Sequence, residues 1–208
     1  MRRRKYKIQR LSRRYTKSKN KHFSPLEENQ SLRPSLDDHE AWHVYWQSLE
    51  LPWRTEPEID LKRQQELEDQ RGIVPDIEQG IYPFKGLKLS RADIEWLLAT
   101  HENGRGPVDW CDEDQRNRKG LDLRGADLRD VDLSDLPLTR MIGGASLRER
   151  LTTTLPQRSI AVVHLERANL AQTHLEGAIL RNAHLSRSLR RLDHRSNFYR
   201  HFDSTIFR

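Results

Sequence analysis

The sequence predicts an α+β fold, in which an α-helical region precedes a coil of short, stacked extended segments. Two observations lead to this prediction. Leucine recurs at every fifth position in two runs, within residues 121–140 and 163–187. In the preceding segment, 37–104, apolar residues instead follow the three- and four-residue spacing of amphipathic helices.

The five-residue period defines an interior. Positions two apart in an extended chain point to the same side, so a leucine and the residue two places before it face one core. The other three residues of each unit then turn a corner toward solvent. The predicted core leucines are Leu123, Leu128, Leu133, Leu138, Leu165, Leu170, Leu175, Leu180 and Leu185. The predicted core alanines, at the second inward position, are Ala126, Ala168, Ala178 and Ala183.

Two of the units, Gly125-Ala-Asp-Leu-Arg129 and Arg167-Ala-Asn-Leu-Ala171, resemble the pentapeptide-repeat family. The resemblance implies a short right-handed quadrilateral β-helix over residues 121–187, with four pentads in each coil. Nine units then make little more than two coils. Gly125 and Gly177 fall where corners are expected, and glycine adopts the backbone angles of a corner most easily.

The register is interrupted between the two runs. The step from Leu138 to Leu165 is not a multiple of five, so residues 141–162 are predicted to leave the coil as an inserted loop and return. Gly143-Gly144 begins this loop, and Ser146–Leu151 can form a short helix. Inserted loops of repeat arrays often carry recognition, but a solvated flap without a partner fits the sequence equally well.

Residues 36–120 are expected to form an α-helical region that caps the coil. A first helix is predicted to begin near Asp37. A second is predicted to begin at a capping box formed by Thr55–Glu58 and to end near Arg71. A third is predicted to begin at Ser90–Asp93 and to end at Asn103-Gly104. Four tryptophans are expected to pack against the first turn of the coil. The alternative is that they line a groove for a partner. They are Trp42, Trp46, Trp53 and Trp96.

The two ends of the chain differ from the body. Residues 1–24 carry eleven Lys or Arg and no acid, so residues 1–35 are predicted to be a basic, disordered arm. Aromatic residues between the charges suit contact with nucleic acid, but a solvated tail without a dedicated partner fits the composition equally well. The candidate contacts are Arg2, Arg3, Arg4, Lys5, Arg10, Arg13, Arg14, Lys17, Lys19 and Lys21. Residues 188–208 are expected to be a C-terminal cap or a disordered tail, with Phe198, Phe202 and Ile206 four residues apart.

Enzymatic signatures are weak. His39-Glu40-Ala-Trp-His43 matches the pattern of zinc proteases, but the preceding acidic residues and the lack of a third ligand at a recognisable spacing weigh against a zinc hydrolase. His164 and His184 are twenty residues apart and should stack on one outer face, with His174 opposite. A weak metal site there is the less favoured interpretation. No cofactor, metal site or catalytic residue is predicted.

The leading hypothesis is therefore a non-enzymatic interaction protein that binds an unidentified macromolecular partner. A nucleic-acid binder acting through the arm is the second hypothesis. Some pentapeptide-repeat proteins resemble duplex DNA and bind DNA gyrase, and such mimicry is a further alternative, weakened by eight acids against nine bases in residues 121–187. The single cysteine, Cys111, and the lack of a long apolar run predict a cytoplasmic location without membrane contact.

Overall fold

The computed structural model describes residues 33–186. The predicted nucleic-acid contacts of the basic arm and the predicted cap or tail at 188–208 lie outside these residues. Among the residues described, every helix is too short or too polar to cross a bilayer.

The helical region begins with α1, His39–Ser48, capped by the Asp38 side chain, which accepts from the Ala41 backbone N–H. Trp42 and Trp46 are buried, with ring centroids 5.3 Å apart. The guanidinium carbon of Arg54 lies 3.6 Å from the Trp46 ring centroid. These tryptophans are therefore packing residues of the region.

The second helix, α2, spans Leu61–Arg71 and is capped by Asp60. The prediction of a cap at Thr55 is wrong. The Thr55 backbone N–H and hydroxyl both donate to Glu95, and the backbone N–H of Glu56 does so as well. The Glu95 carboxylate, 40 residues away in the sequence, thus binds the segment that the sequence pattern predicted to be the first turn of a helix.

The third helix, α3, spans Arg91–Ala99 and has the capping box predicted for it, formed by Ser90 and Asp93. The helix ends at Ala99, before the predicted end at Asn103-Gly104. A four-residue turn, α4 at His101–Gly104, follows, and Glu102, Asn103 and Gly104 all have positive φ. A 3-10 turn at Glu113–Gln115 lies in the connection to the coil.

Residues 121–143 and 163–186, called the coil below, stack through isolated parallel bridges. Within the described part of the chain these bridges do not extend into longer strands. They form four columns. The first joins Lys88, Asp127, His164 and His184; the second, Asp132 and Asn169; the third, Pro137 and His174; the fourth, Asp122, Ile142 and Ile179.

The bridge between Lys88 and Asp127 attaches the helical region to the first column. The Arg91 side chain adds a second attachment, because its guanidinium donates to the backbone carbonyls of Asp132 and Ser134. Leu89, Ile94 and Leu97 are fully buried in the same cluster as the coil leucines. The helical region and the coil therefore share one core.

Corners of the coil fall two residues after each inward leucine position. Gly125 and Gly177 have φ of +71° and +67°, in agreement with their predicted place at corners. Six corners are occupied by other residues with φ between +57° and +64°: Asp130, Asp135, Arg140, Arg167, Gln172 and Asn182. The period, rather than the residue type, therefore determines the backbone angle.

Ile142 is bridged to both Asp122 and Ile179, and Met141 is fully buried. The structure thus keeps these two residues, which the predicted loop 141–162 includes, within the coil. From Ile142 the chain takes 22 residues instead of five to reach the next bridged residue, His164. The extra residues all lie at one corner, and the chain re-enters at the column that it would have reached without them.

Candidate interaction surface

Residues 144–161, which follow the first part of the coil, are called the insertion. It contains α5, Leu147–Thr152, and α6, Leu155–Ile160. Each helix begins with a capping box, formed by Ser146 with Glu149 and by Thr154 with Gln157. These caps satisfy the N-terminal backbone donors of helices that are too short to be stable by themselves.

The first part of the coil ends at Gly143 and the insertion begins at Gly144, two positions where a side chain would not fit. Gly143 occupies the place of a core leucine, but a Cβ atom on it would lie 2.6 Å from Val163 Cγ1 and 2.8 Å from Leu180 Cδ2. A Cβ on Gly144 would lie 2.6 Å from the carbonyl oxygen of Arg181. Val163 and Leu180 thus fill the core at the point where the chain departs.

A buried ion pair holds the insertion to the coil. Arg124, which is 6% exposed, donates to Glu149 Oε1 at 2.8 Å and to both carboxylate oxygens of Asp122. Its guanidinium carbon lies 5.2 Å from the centroid of the buried Tyr82 ring. One arginine therefore contacts the helical region, the coil and α5.

The titration of these groups reflects the same arrangement. Burial of Glu149 opposes its ionisation, but hydrogen bonds from Ser146 and the charge of Arg124 outweigh burial and lower the pKa of Glu149. Burial of Arg124 by itself would lower its pKa, but the hydrogen bonds and charges of Asp122 and Glu149 outweigh burial and raise the pKa. Burial raises the pKa of Tyr82. The ion pair stays charged at neutral pH.

Three further contacts fix α6 and the residue that follows it. The Gln157 side chain donates to the backbone carbonyl of Glu78 at 3.0 Å, and the Ile160 side chain lies beside Gly80. The Gly125 backbone N–H donates to the carbonyl of Ala161 at 3.2 Å. Both helices of the insertion are therefore attached to the body of the protein.

Although it is attached, the insertion leaves large apolar side chains in solvent. Leu147, Leu151 and Leu155 are 65%, 82% and 71% exposed. The coil leucines from Leu123 to Leu185 are by contrast at most 9% exposed. We call these three leucines the apolar surface of the insertion. Its accessibility was not evident from sequence, where Leu147 and Leu151 suggested only a short helix.

An open, mainly apolar groove with a cavity volume of about 430 Å³ adjoins α6. It lies between α6 and the last described turn of the coil. Its lining residues are Leu155, Pro156, Ser159, Val162, Asn182 and His184. The apolar surface therefore continues, at Leu155, into a concave site.

His164 and His184 stack as predicted, with ring centroids 5.1 Å apart and planes 9° apart, and His174 lies in another column. In the zinc-protease pattern, His39 faces Glu56 at 3.5 Å and the His43 ring approaches the Gln47 amide at 3.2 Å. Within residues 33–186 no three His, Cys, Asp or Glu side chains are grouped so that they could hold a metal.

The structure places the predicted core residues inside the coil. All nine leucines are buried, as are Ala126, Ala168 and Ala183, while Ala178 is partly buried against the same cluster. Sequence reasoning missed Arg124 and Tyr82. A single arginine beside an aspartate gave no local signal of burial, because its other partner lies 25 residues later in the insertion.

Comparison with known proteins supports one assignment. The family model described as pentapeptide repeats (8 copies) matches residues 163–188. No curated protein and no solved structure matches the chain. Residues 163–188 thus carry pentapeptide repeats, the repeat that the sequence predicts there.

Proposed function

We propose that this chain is a non-enzymatic interaction protein whose coil holds the insertion in place for a protein partner. The observation that carries the proposal is the contrast between firm attachment and apolar exposure. Arg124, Glu78 and Gly125 contact the insertion, yet Leu147 and Leu151 remain in solvent.

The same proposal includes the shape of the scaffold. We infer that the coil is a right-handed quadrilateral β-helix, as the family resemblance implies. Four columns of parallel bridges with five-residue steps along the chain support a four-sided cross-section. Such a scaffold suits display, since its inward positions are filled and its outward positions are free to vary.

Burial of exposed leucines supplies the driving force for binding. Covering one leucine side chain contributes roughly 1.5–3 kcal/mol. Because the insertion is already anchored and capped, little ordering entropy opposes association. The expected partner therefore presents a complementary apolar surface.

Paired substitutions test this proposal. We expect the double variant L147D/L151D to lose saturable partner capture, measured by crosslinking in cells followed by mass spectrometry. The matched control is L61D/V74D, because Leu61 and Val74 are 75% and 82% exposed but lie in the helical region. Equal capture by the wild type, the control and the insertion variant would exclude the insertion as the binding surface.

Binding of nucleic acid by residues 1–24 is the second candidate, favoured by eleven basic residues without an acid. It predicts gel shifts of DNA or RNA that weaken steeply with salt and vanish in a chain beginning at Ser24. Salt-independent shifts, or shifts retained after truncation, would reject it.

The remaining alternatives receive less support. Three aspartates on the outside of the coil are paired, Asp127 with Arg129, Asp130 with Arg167 and Asp132 with Asn169, which weakens the proposal of a DNA-like acidic face that binds gyrase. For a zinc hydrolase, metal analysis of the purified protein is the test. One equivalent of zinc that is lost on H43A would favour it over the interaction protein.

A further inference from the structure

We propose that the C-terminal segment of this chain, residues 187–208, docks into the groove beside α6. There it would cover Leu155 and compete with the partner for the apolar surface. The competition, but not the docking itself, rests on the proposed function.

The first argument is position. Asn182 and His184 form one wall of the groove, and α6 forms the other through Leu155, Pro156 and Ser159. Ser186, at the end of the described chain, still follows the coil, because its carbonyl accepts the backbone N–H of Arg167 at 3.1 Å. Everything that follows Ser186 therefore starts within a few residues of the groove.

The second argument is that the pentad pattern cannot continue. The next leucine position after Leu185 is Arg190, and an unpaired guanidinium is too costly to place in this interior. We therefore expect the chain to leave the coil near Arg190.

The third argument is the chemistry of the segment. Phe198, Phe202 and Ile206 are four residues apart, which would place them on one face of a helix. The residues between Ser186 and Phe198 can span up to about 36 Å when extended, which is ample for a site a few residues from the tether. Tethering by such a short linker gives an effective concentration in the millimolar range.

Charge indicates which force drives the docking. The segment 187–208 carries six arginines and two aspartates. The insertion carries Arg148, Arg150 and Arg158, and its one acid, Glu149, is paired with Arg124. The two surfaces repel each other electrostatically, so apolar contact must hold them together, and docking should strengthen when salt screens the repulsion.

Disulfide trapping in the full chain tests the docking. In a C111S background, we expect L155C/F202C to form an intramolecular disulfide at least fivefold faster than L61C/F202C, with a rate that rises with salt. Equal rates in the two variants would overturn the proposal. Predominant formation of disulfide-linked dimers would overturn it in favour of a second copy as the occupant.

Hydrogen exchange provides a second measurement that needs no cross-link. In the double variant F198D/F202D, we expect amides of 155–162 to exchange several-fold faster than in the wild type, while those of α3 are unchanged. Unchanged exchange at 155–162 would contradict docking. Neither experiment uses a partner, so failure of the proposed function would leave both results interpretable, and increased partner capture by F198D/F202D would establish the competition.

Discussion

Corner residues of the coil adopt left-handed backbone angles whether or not they are glycine. Gln172 has φ of +57° and an exposed side chain. A non-glycine residue in this region costs about 1–2 kcal/mol, whereas glycine costs about 0.5–1 kcal/mol through its freedom in the unfolded chain. We therefore expect Q172G to raise Tm by about 2 °C, measured by calorimetry.

The neighbouring Ala171 provides the control, because it lies beside the corner and lacks a positive φ. A171G relieves no backbone strain and adds the entropic cost of glycine in the unfolded chain, so this variant should lower Tm. At Gly125 the reverse substitution, G125A, should destabilise as well, since its Cβ would lie 3.0 Å from Lys85 Cα. Equal decreases for Q172G and A171G would show that the corner angle carries no strain.

Asp127 makes the coil sensitive to acid. The Arg129 guanidinium, through a hydrogen bond, lowers the pKa of Asp127 to about 2. Because the folded pKa is below the unfolded value, this carboxylate stabilises the fold above about pH 4, and the contribution is lost as pH falls toward 2. Arg129 is half exposed, so solvent screening limits the effect to at most about 1 kcal/mol.

Urea unfolding at pH 6 and at pH 2.5 measures this contribution. D127N should lose less stability between the two pH values than the wild type does, because it has no carboxylate to protonate. D135N, at an exposed corner, controls for the removal of one acid. A pH dependence of D127N that matches the wild type would contradict the role given to Asp127.

At the scale of elements, a buried charge network joins α3 to the coil. Glu95 is fully buried, accepts from Thr55, Glu56 and Arg91, and has its pKa raised by burial. Arg91 in turn donates to two coil carbonyls. R91M would leave the Glu95 carboxylate without its cation, and we expect a loss of about 3 kcal/mol in the free energy of unfolding.

A double-mutant cycle in denaturant separates this coupling from lost packing. R91M/E95M should lose clearly less than the sum of the two single variants, because the double variant buries no unpaired charge. R148M, on the exposed side of α5, should change stability little. Strict additivity of R91M and E95M would show that the network does not act as a unit.

The same network explains the limit of sequence reasoning at this scale. The leucine period, the capping box at Ser90 and the corners at Gly125 and Gly177 are local patterns, so the sequence was enough to predict them. The cap of α2 was misplaced because Thr55 binds a carboxylate that is distant in sequence. The burial of Arg124 depends likewise on Glu149, and the exposure of Leu151 depends on where the insertion folds.

At the scale of the whole molecule, the structure separates a scaffold from an attachment. Ile142 and His164 are consecutive bridged positions in adjacent columns, so a step of five residues would be enough to join them. Deleting residues 146–162 restores the five-residue step. The corner then falls on Ala145, and A145G supplies a residue that accepts a positive φ.

This deletion variant should stay folded and lose the interaction. We expect a single cooperative calorimetric transition, because the core leucines and the bridges remain. Its Tm should be lower than that of the wild type, because the ion pair of Arg124 with Glu149 and the contacts at Gly80 are lost. Partner crosslinking should fall to the level of L147D/L151D. A deleted chain without a cooperative transition would mean that the insertion is part of the scaffold, while a folded chain with undiminished crosslinking would place the binding surface on the coil or the helical region.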